Sequence, residues 1–360
     1  MQGVEQELAD PGFLQRHIRD GVHPDGDSAF EIIFPALRGF LKTRIHGLSN
    51  IMTAHQLQGV LPVLQLPLTA SNAIDYACLD REIDFLFESG AAGAVLAMVS
   101  EIIRLTDDTR DQLVGHVVKS VAGRGPVIVS VAAESLAQEL RHAYVAEREG
   151  CDALMAPLPI THRVPQEEQA SFFQALLDSV SLPVIIQDSS GYLGFAVSME
   201  VQLELFQRNP GRVHFKPETS PVGPSVSRLY RETGGEALVF DGTGGKFLME
   251  NFERGVAGVI PGCDTPWAVA ALWAALKAGN LPKALRIQSL LAMIFLPMTS
   301  LESYLATEKF FLHFQGVFPN ERILPPARHD LDEISRRHLL RILSELADEC
   351  KQCTAHWLSK

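Results

Sequence analysis

From Gln58 to about Gly262 one unit recurs: a short, continuous β-branched apolar run, then an amphipathic helical stretch. The runs are Val60–Gln65, Ala94–Val99, Val127–Ala132, Ala153–Ala156, Val184–Gln187, Val213–Lys216, Leu238–Phe240 and Val256–Ile260. They do not alternate apolar with polar, which is the pattern of strands buried on both faces of a parallel sheet. The segments between them carry helical periodicity and stop signals. Leu79–Phe87 runs up to Gly90, Gln166–Val180 up to Leu182-Pro183, and Ser198–Gln207 up to Pro210. Strand and helix alternating eightfold within about two hundred residues point to an α/β fold, the (β/α)8 TIM barrel, which typically takes about 250 residues. A doubly wound open sheet usually has fewer strands and often an early glycine-rich dinucleotide fingerprint. The first β–α turn, Leu66-Pro67-Leu68-Thr69, has none.

After the last strand the chain reads as helical over Trp267–Ala278, Pro282–Phe314 and Leu331–Leu358, extra C-terminal helices laid on the side of the barrel. Before the first strand, Gly21–Asp27 is loop-like and Phe30–Leu41 is a lone amphipathic candidate. The expected division is an N-terminal extension over 1–51, a barrel over 52–265 and a C-terminal helical region over 266–360.

The formal net charge of −12, with no basic cluster, argues against a nucleic-acid partner. Gly, Pro or a charge breaks every apolar stretch well short of a membrane span, so no membrane partner is expected. The acidic start, Met1 to Glu7, lacks the apolar region of a signal peptide. Five cysteines, an odd number in a chain of 360 residues, suit a reducing compartment better than a disulfide framework, and the expected location is cytoplasmic.

In a (β/α)8 barrel the active site lies at the C-terminal ends of the strands. Strand two ends at Met98-Val99-Ser100-Glu101, strand four leads to Ile160-Thr161-His162, and strand five ends at Gln187-Asp188-Ser189-Ser190-Gly191-Tyr192. Strand six gives Lys216-Pro217-Glu218, strand seven Asp241-Gly242-Thr243-Gly244-Gly245 and strand eight Pro261-Gly262-Cys263-Asp264. Lys216 is the one lysine among these ends. Entering a core costs an ammonium its hydration and favours the neutral amine, the form that attacks a carbonyl carbon to make a Schiff base. The alternative is a strand-end lysine that reaches solvent or pairs with Glu218. Glu101, Asp188, Glu218, Asp241 and Asp264 could serve as general acids or bases, or as ion-pair and loop-capping groups. Gly242–Gly245 could cradle an anion or form only a tight turn. No HxxxH or HxH accompanies the acids, so neither a metal nor a cofactor is expected.

These residues resemble the dihydrodipicolinate synthase / N-acetylneuraminate lyase family of class I aldolases. The carriers run from about Gln58 to Gly316. They include Gly59–Thr69, Gly90–Leu96, Leu105–Arg110, Gly150–Ala153, Leu182–Ile186, Val213–Glu218, Asp241–Gly245 and Gly255–Ile260. The resemblance places Lys216 at the family's Schiff-base lysine on strand six. It implies a barrel with three extra C-terminal helices, assembly as a homodimer or homotetramer, and lyase or dehydratase chemistry on a small-molecule keto acid substrate. Departures are clear. Where the family has Gly-Thr-Thr-Gly-Glu, this chain reads Ala97-Met98-Val99-Ser100-Glu101, so the two hydroxyls are gone. The family's Tyr-Asn on strand five is Gln187-Asp188, and an amide cannot shuttle a proton as a phenol can. The arginine that follows is replaced by Tyr192, and the second family tyrosine falls near Ile160-Thr161.

The expected function is therefore a Schiff-base-forming aldolase or dehydratase acting on a small 2-keto acid or deoxy sugar acid. Lys216 would form the imine, with Asp188 or Tyr192 as a relocated acid/base. Substrate contacts are expected from Val99, Ser100, Glu101, Thr161, Gln187, Gly242, Thr243 and Gly262. The lost hydroxyls and tyrosine motivate a second reading, a catalytically silent barrel that binds a small carbonyl or carboxylate ligand.

Overall fold

The computed structural model describes residues 57–193 and 195–351. The extension expected over 1–51 lies outside the described residues, as does the end of the last expected helix beyond Lys351.

Each expected apolar run supplies a strand: β1 (Gly59–Val60), β2 (Ala94–Leu96), β3 (Val127–Ser130), β4 (Ala153–Pro157), β5 (Val184–Asp188), β6 (Val213–Pro217), β7 (Phe240–Asp241) and β8 (Gly258–Val259). All pair in parallel. One ladder runs from β2 to β6 in chain order and another is β1-β8-β7. Single bridges from Val63 to Val95 and from Phe215 to Val239 join the two ladders into a closed ring. The barrel is thus formed, and several strands are shorter than their apolar runs. Pro62, which has no N–H to donate, interrupts the first run. The second run ends in a 3-10 turn at Met98–Ser100.

Helices α1 (Tyr76–Glu88), α2 (Asp107–Val121), α3 (Leu136–Glu149), α4 (Gln166–Ser179), α5 (Met199–Arg208), α6 (Val222–Glu232), α7 (Leu248–Glu253) and α8 (Pro266–Lys277) follow their strands. Side chains placed at their starts satisfy free backbone donors. Asp75, Thr106, Ser135 and Ser198 each accept from the N–H three residues on. Helix α8 packs against β1, which completes the eighth β/α unit. Three more helices follow: α9 (Leu281–Phe295), α10 (Leu301–Phe314) and α11 (Glu333–Cys350). The single helix expected over Pro282–Phe314 is therefore two. Pro297 removes a donor just after α9, and Ser300 restarts the chain as an N-cap, accepting from Ser303 N at 3.2 Å. This break lets α10 pack against the Met98–Ser100 turn at the barrel mouth, while α9 packs against α8 and α11.

The strand residues divide by parity between two apolar clusters. Val63, Val95, Ile128, Met155, Ile185 and Ile260 fill the barrel interior. Leu96, Val129, Leu154, Ile186, Val213 and Phe215 face the helices. Both faces are dry, which explains the continuous apolar runs. Among the described residues no helix is long and apolar enough to cross a membrane.

Candidate active site

The register of two strands aims the lysine. Ile185 pairs with His214 and Gln187 with Lys216. Ile185 faces the interior, so His214, Gln187 and Lys216, each at the same parity, face it too. Lys216 is the last inward position of β6 and stands at the top of the filled core. A cavity of about 370 Å³ opens above it. Its walls include Val99, Gln187, Gly191, Lys216, Glu218, Gly242, Thr243 and Gly262 from the strand ends. Leu301, Tyr304 and Glu308 of α10 complete it.

Lys216 is 4% exposed, and its Nζ donates to Glu218 Oε1 at 2.9 Å. Glu218 Oε2 accepts from Gln187 Nε2 at 2.5 Å. Both readings of the lysine thus hold together: it faces the cavity, and its partner there is Glu218. Gly242 leaves room for this arrangement, because a Cβ at that position would lie 2.8 Å from Glu218 Oε1.

Other expected site residues go elsewhere, each for a local reason. Asp188 is one residue beyond inward-facing Gln187, so alternation turns it to the opposite face. Its Oδ1 accepts from Ser190 N at 3.1 Å, and it does not line the cavity. Burial pushes its carboxyl above the usual range, opposed by the bonds from Ser190. Ser100 closes its own turn, donating to Leu64 O at 2.5 Å and accepting from Ala97 N at 3.1 Å. Glu101 is fully buried away from the cavity, paired with Lys309 and accepting from Leu324 N at 2.7 Å. Thr161 bonds to Glu134 and lines a separate cavity with Arg110 and His142. Tyr192 falls within a one-turn helix, Ser190–Leu193, and its side chain lies outside the described residues.

The Gly242–Gly245 segment is a turn whose anion is supplied by the chain itself. Asp241 Oδ1 accepts from Thr243 N at 2.8 Å and from Thr243 Oγ1 at 2.7 Å, and Asp241 Oδ2 accepts from Asn251 Nδ2 at 2.6 Å. Burial raises the Asp241 carboxyl, and these bonds oppose the rise. Among the described residues no group of three or more His, Cys, Asp or Glu side chains is placed to hold a metal ion.

The residues that sequence reasoning missed are on α10. Leu301, Tyr304 and Glu308 recur at i, i+3 and i+7, one face of a helix, and that face covers the cavity. The spacing was present in the sequence, but it is the spacing of any packed helix. Tyr304 is pushed up to about 12, by burial first, then by Glu308 and Glu218. Both carboxyls are thus close enough to act on one phenol.

A lysine on β6 with a carboxylate at its ammonium, inside a pocket at a barrel mouth, suits imine formation with a small carbonyl compound. Several known proteins are similar to this chain. An L-2-keto-3-deoxyarabonate dehydratase of Azospirillum brasilense is 28% identical over 299 residues, covering 80% of this chain and 94% of that protein. A 4-hydroxy-tetrahydrodipicolinate synthase of Jannaschia sp. is 27% identical, covering 74% and 91%. Among solved structures, a sialic acid aldolase of Ruminococcus gnavus with its catalytic lysine mutated superposes with a TM-score of 0.74 at 20% identity. That match covers 83% of this chain and 99% of the other. A 4-hydroxy-tetrahydrodipicolinate synthase of Methylacidiphilum fumariolicum SolV gives 0.74 at 22% identity, covering 84% and 99%. Residues 56–346 match the model of the Dihydrodipicolinate synthetase family, and the chain belongs to that family of lyases of the class I aldolase type.

Proposed function

We propose that this chain is a Schiff-base dehydratase for a small 2-keto-3-deoxy sugar acid. The observation that carries the reading is the 2.9 Å contact between Lys216 Nζ and Glu218 Oε1 inside the cavity. An ammonium cannot attack a carbonyl carbon. Glu218 is placed to take its proton; the amine then adds to the C2 carbonyl, and Glu218 returns that proton to the departing hydroxyl, which leaves as water and gives a protonated imine. The imine acidifies the neighbouring C3 hydrogens, and Glu218, beside the imine nitrogen, can accept one of them. The enamine that results can expel a hydroxyl from C4. Dehydration is favoured over condensation because Gln187 stands where the family has its strand-five tyrosine, and an amide does not relay protons. Likeness to the Azospirillum dehydratase supports the same choice.

Borohydride trapping with pyruvate and with L-2-keto-3-deoxyarabonate, read by peptide mass spectrometry, tests the proposal. The expected result is a reduced adduct on Lys216, absent in Lys216→Ala, together with loss of water from the sugar acid. A folded wild-type protein that traps neither compound would leave a barrel that binds ligands without chemistry.

A further inference from the structure

Glu308 lines the Lys216 cavity from α10, and Asp264 lies in the loop after β8. The two carboxyls converge on Gly262. A Cβ there would lie 2.5 Å from Glu308 Oε1 and 2.9 Å from Asp264 Oδ1. Asp264 is 1% exposed and Glu308 2%. Glu308 Oε2 accepts from Gln65 Nε2, and Asp264 Oδ2 accepts from Thr265 Oγ1 at 3.3 Å. Among the described residues Asp264 Oδ1 is buried with no hydrogen-bond partner, and it is directed at Gly262, which itself lines the cavity.

Most of the surrounding titratable groups are further acids, and one cation, Lys309, acts on Glu308 in the opposite sense. Glu82 of α1, also fully buried, accepts from Gln65 N at 2.7 Å. Cys263 lies beside Glu82, and Tyr304 and Glu218 stand on the cavity side. Lys309, the neighbouring lysine, is committed to Glu101 and to Arg322 O. Two carboxylates this close in a dry setting cannot both ionise. Burial holds both above the usual carboxylate range, and Asp264 pushes Glu308 further up.

We propose that Asp264 and Glu308 share one proton across Gly262, and that Glu308 is a catalytic acid that delivers it to the hydroxyl leaving C4 of the substrate. This rests on the dehydratase reading above. Glu218 enters from β6 and Glu308 from α10, so the two carboxyls meet the substrate from different walls. Glu218 takes the C3 proton and the electron pair moves into the enamine. The pair then forms the C3=C4 bond as the C4–O bond breaks. The departing oxygen takes the proton of Glu308 and leaves as water. Hydrogen and hydroxyl are lost from adjacent carbons, with no oxidant or reductant. Asp264 does not line the cavity and acts as a positioning residue that keeps Glu308 protonated.

The test uses the full chain, with L-2-keto-3-deoxyarabonate and its analogue carrying fluorine in place of the C4 hydroxyl. Glu308→Gln should form the borohydride adduct at the wild-type level and lose about 10²–10⁴-fold in dehydration rate. The fluoro analogue, whose leaving group needs no proton, should react equally in both proteins. Asp264→Asn should shift the alkaline limb of the kcat profile to lower pH, since the repulsion that keeps Glu308 protonated is gone. Infrared difference spectra between wild type and Glu308→Gln at neutral pH should show the carbonyl band of a protonated carboxyl. Normal dehydration by Glu308→Gln, or no such band, overturns the proposal and leaves the imine reading standing. If Glu308→Gln does not fold, an unmoved limb in Asp264→Asn overturns it. A wild-type protein that traps no keto acid, or traps one without losing water, overturns the dehydratase reading and the acid's role with it.

Discussion

Lys309 donates to Glu101 with both side chains wholly out of solvent, and the residue before Lys309 in α10 faces the Lys216 cavity. The pair ties α10 to the loop after β2, and Glu101 sits there in the left-handed region at φ 52°. Glu101, which looks like a substrate ligand in the strand-two loop, thus holds the cavity's cover in place.

Breaking that pair leaves an uncompensated charge in the core, which costs about 3–5 kcal/mol. Glu101→Ala should lower stability by that amount in denaturant titrations and lower turnover as well, since Tyr304 and Glu308 ride on the same helix. An unshifted denaturation midpoint would show that the pair contributes nothing.

Gly242→Ala places a methyl 2.4 Å from Glu218 Cγ and 2.8 Å from its Oε1, so the carboxylate must move. The barrel should still fold, because the added group meets a side chain rather than a strand. A displacement of about 1 Å at a reacting group costs on the order of 10²-fold in rate. Steady-state kinetics beside a thermal melt would separate the two effects; loss of the fold with no kinetic phenotype at lower temperature would refute this.

On the proposed mechanism, Glu218→Gln keeps the shape of the site and removes its base. The expected loss is about 10²–10⁴-fold in turnover, the usual worth of one general base. Deuterium exchange of the pyruvate methyl hydrogens, followed by NMR, reads the C3 proton transfer directly. Exchange at the wild-type rate in Glu218→Gln would move the base elsewhere.

His214 faces the barrel interior beside Ile185, with Nδ1 accepting from Leu238 N at 3.3 Å. Burial lowers it to about 4. The unfolded chain binds this proton below about pH 6.5 and the folded chain only below about pH 4. Stability from this group is therefore complete above about pH 6.5 and is lost as the pH falls towards about 4, in total about 3 kcal/mol. Buried acids such as Glu82, raised to about 8 by burial, act in the opposite direction: the unfolded chain ionises them first, so their contribution is lost as the pH rises. His214→Asn should isolate the histidine part. Its stability should change less between pH 7 and pH 5 than that of the wild type, and an equal change would exclude His214 as the source.

The barrel and its lysine were legible because both depend on local pattern. Continuous apolar runs require strands buried on two faces, and their number and spacing leave few ways to close a sheet. Lys216 stood out because a lone cation in such a run needs a reason. Parity along β5 separates Gln187, which faces the cavity, from Asp188, which caps Ser190, and parity is assigned only when neighbouring strands settle their register. Glu101, expected at the site, and Glu308, not singled out at all, escaped the local reading for a longer-range reason. Their partners, Lys309 and Gln65, lie 208 and 243 residues away in the chain, and no local spacing encodes such pairs. The reading of one helix over Pro282–Phe314 passed over Pro297, and only the packed structure turned α10 over the barrel mouth and brought Glu308 to the Lys216 cavity.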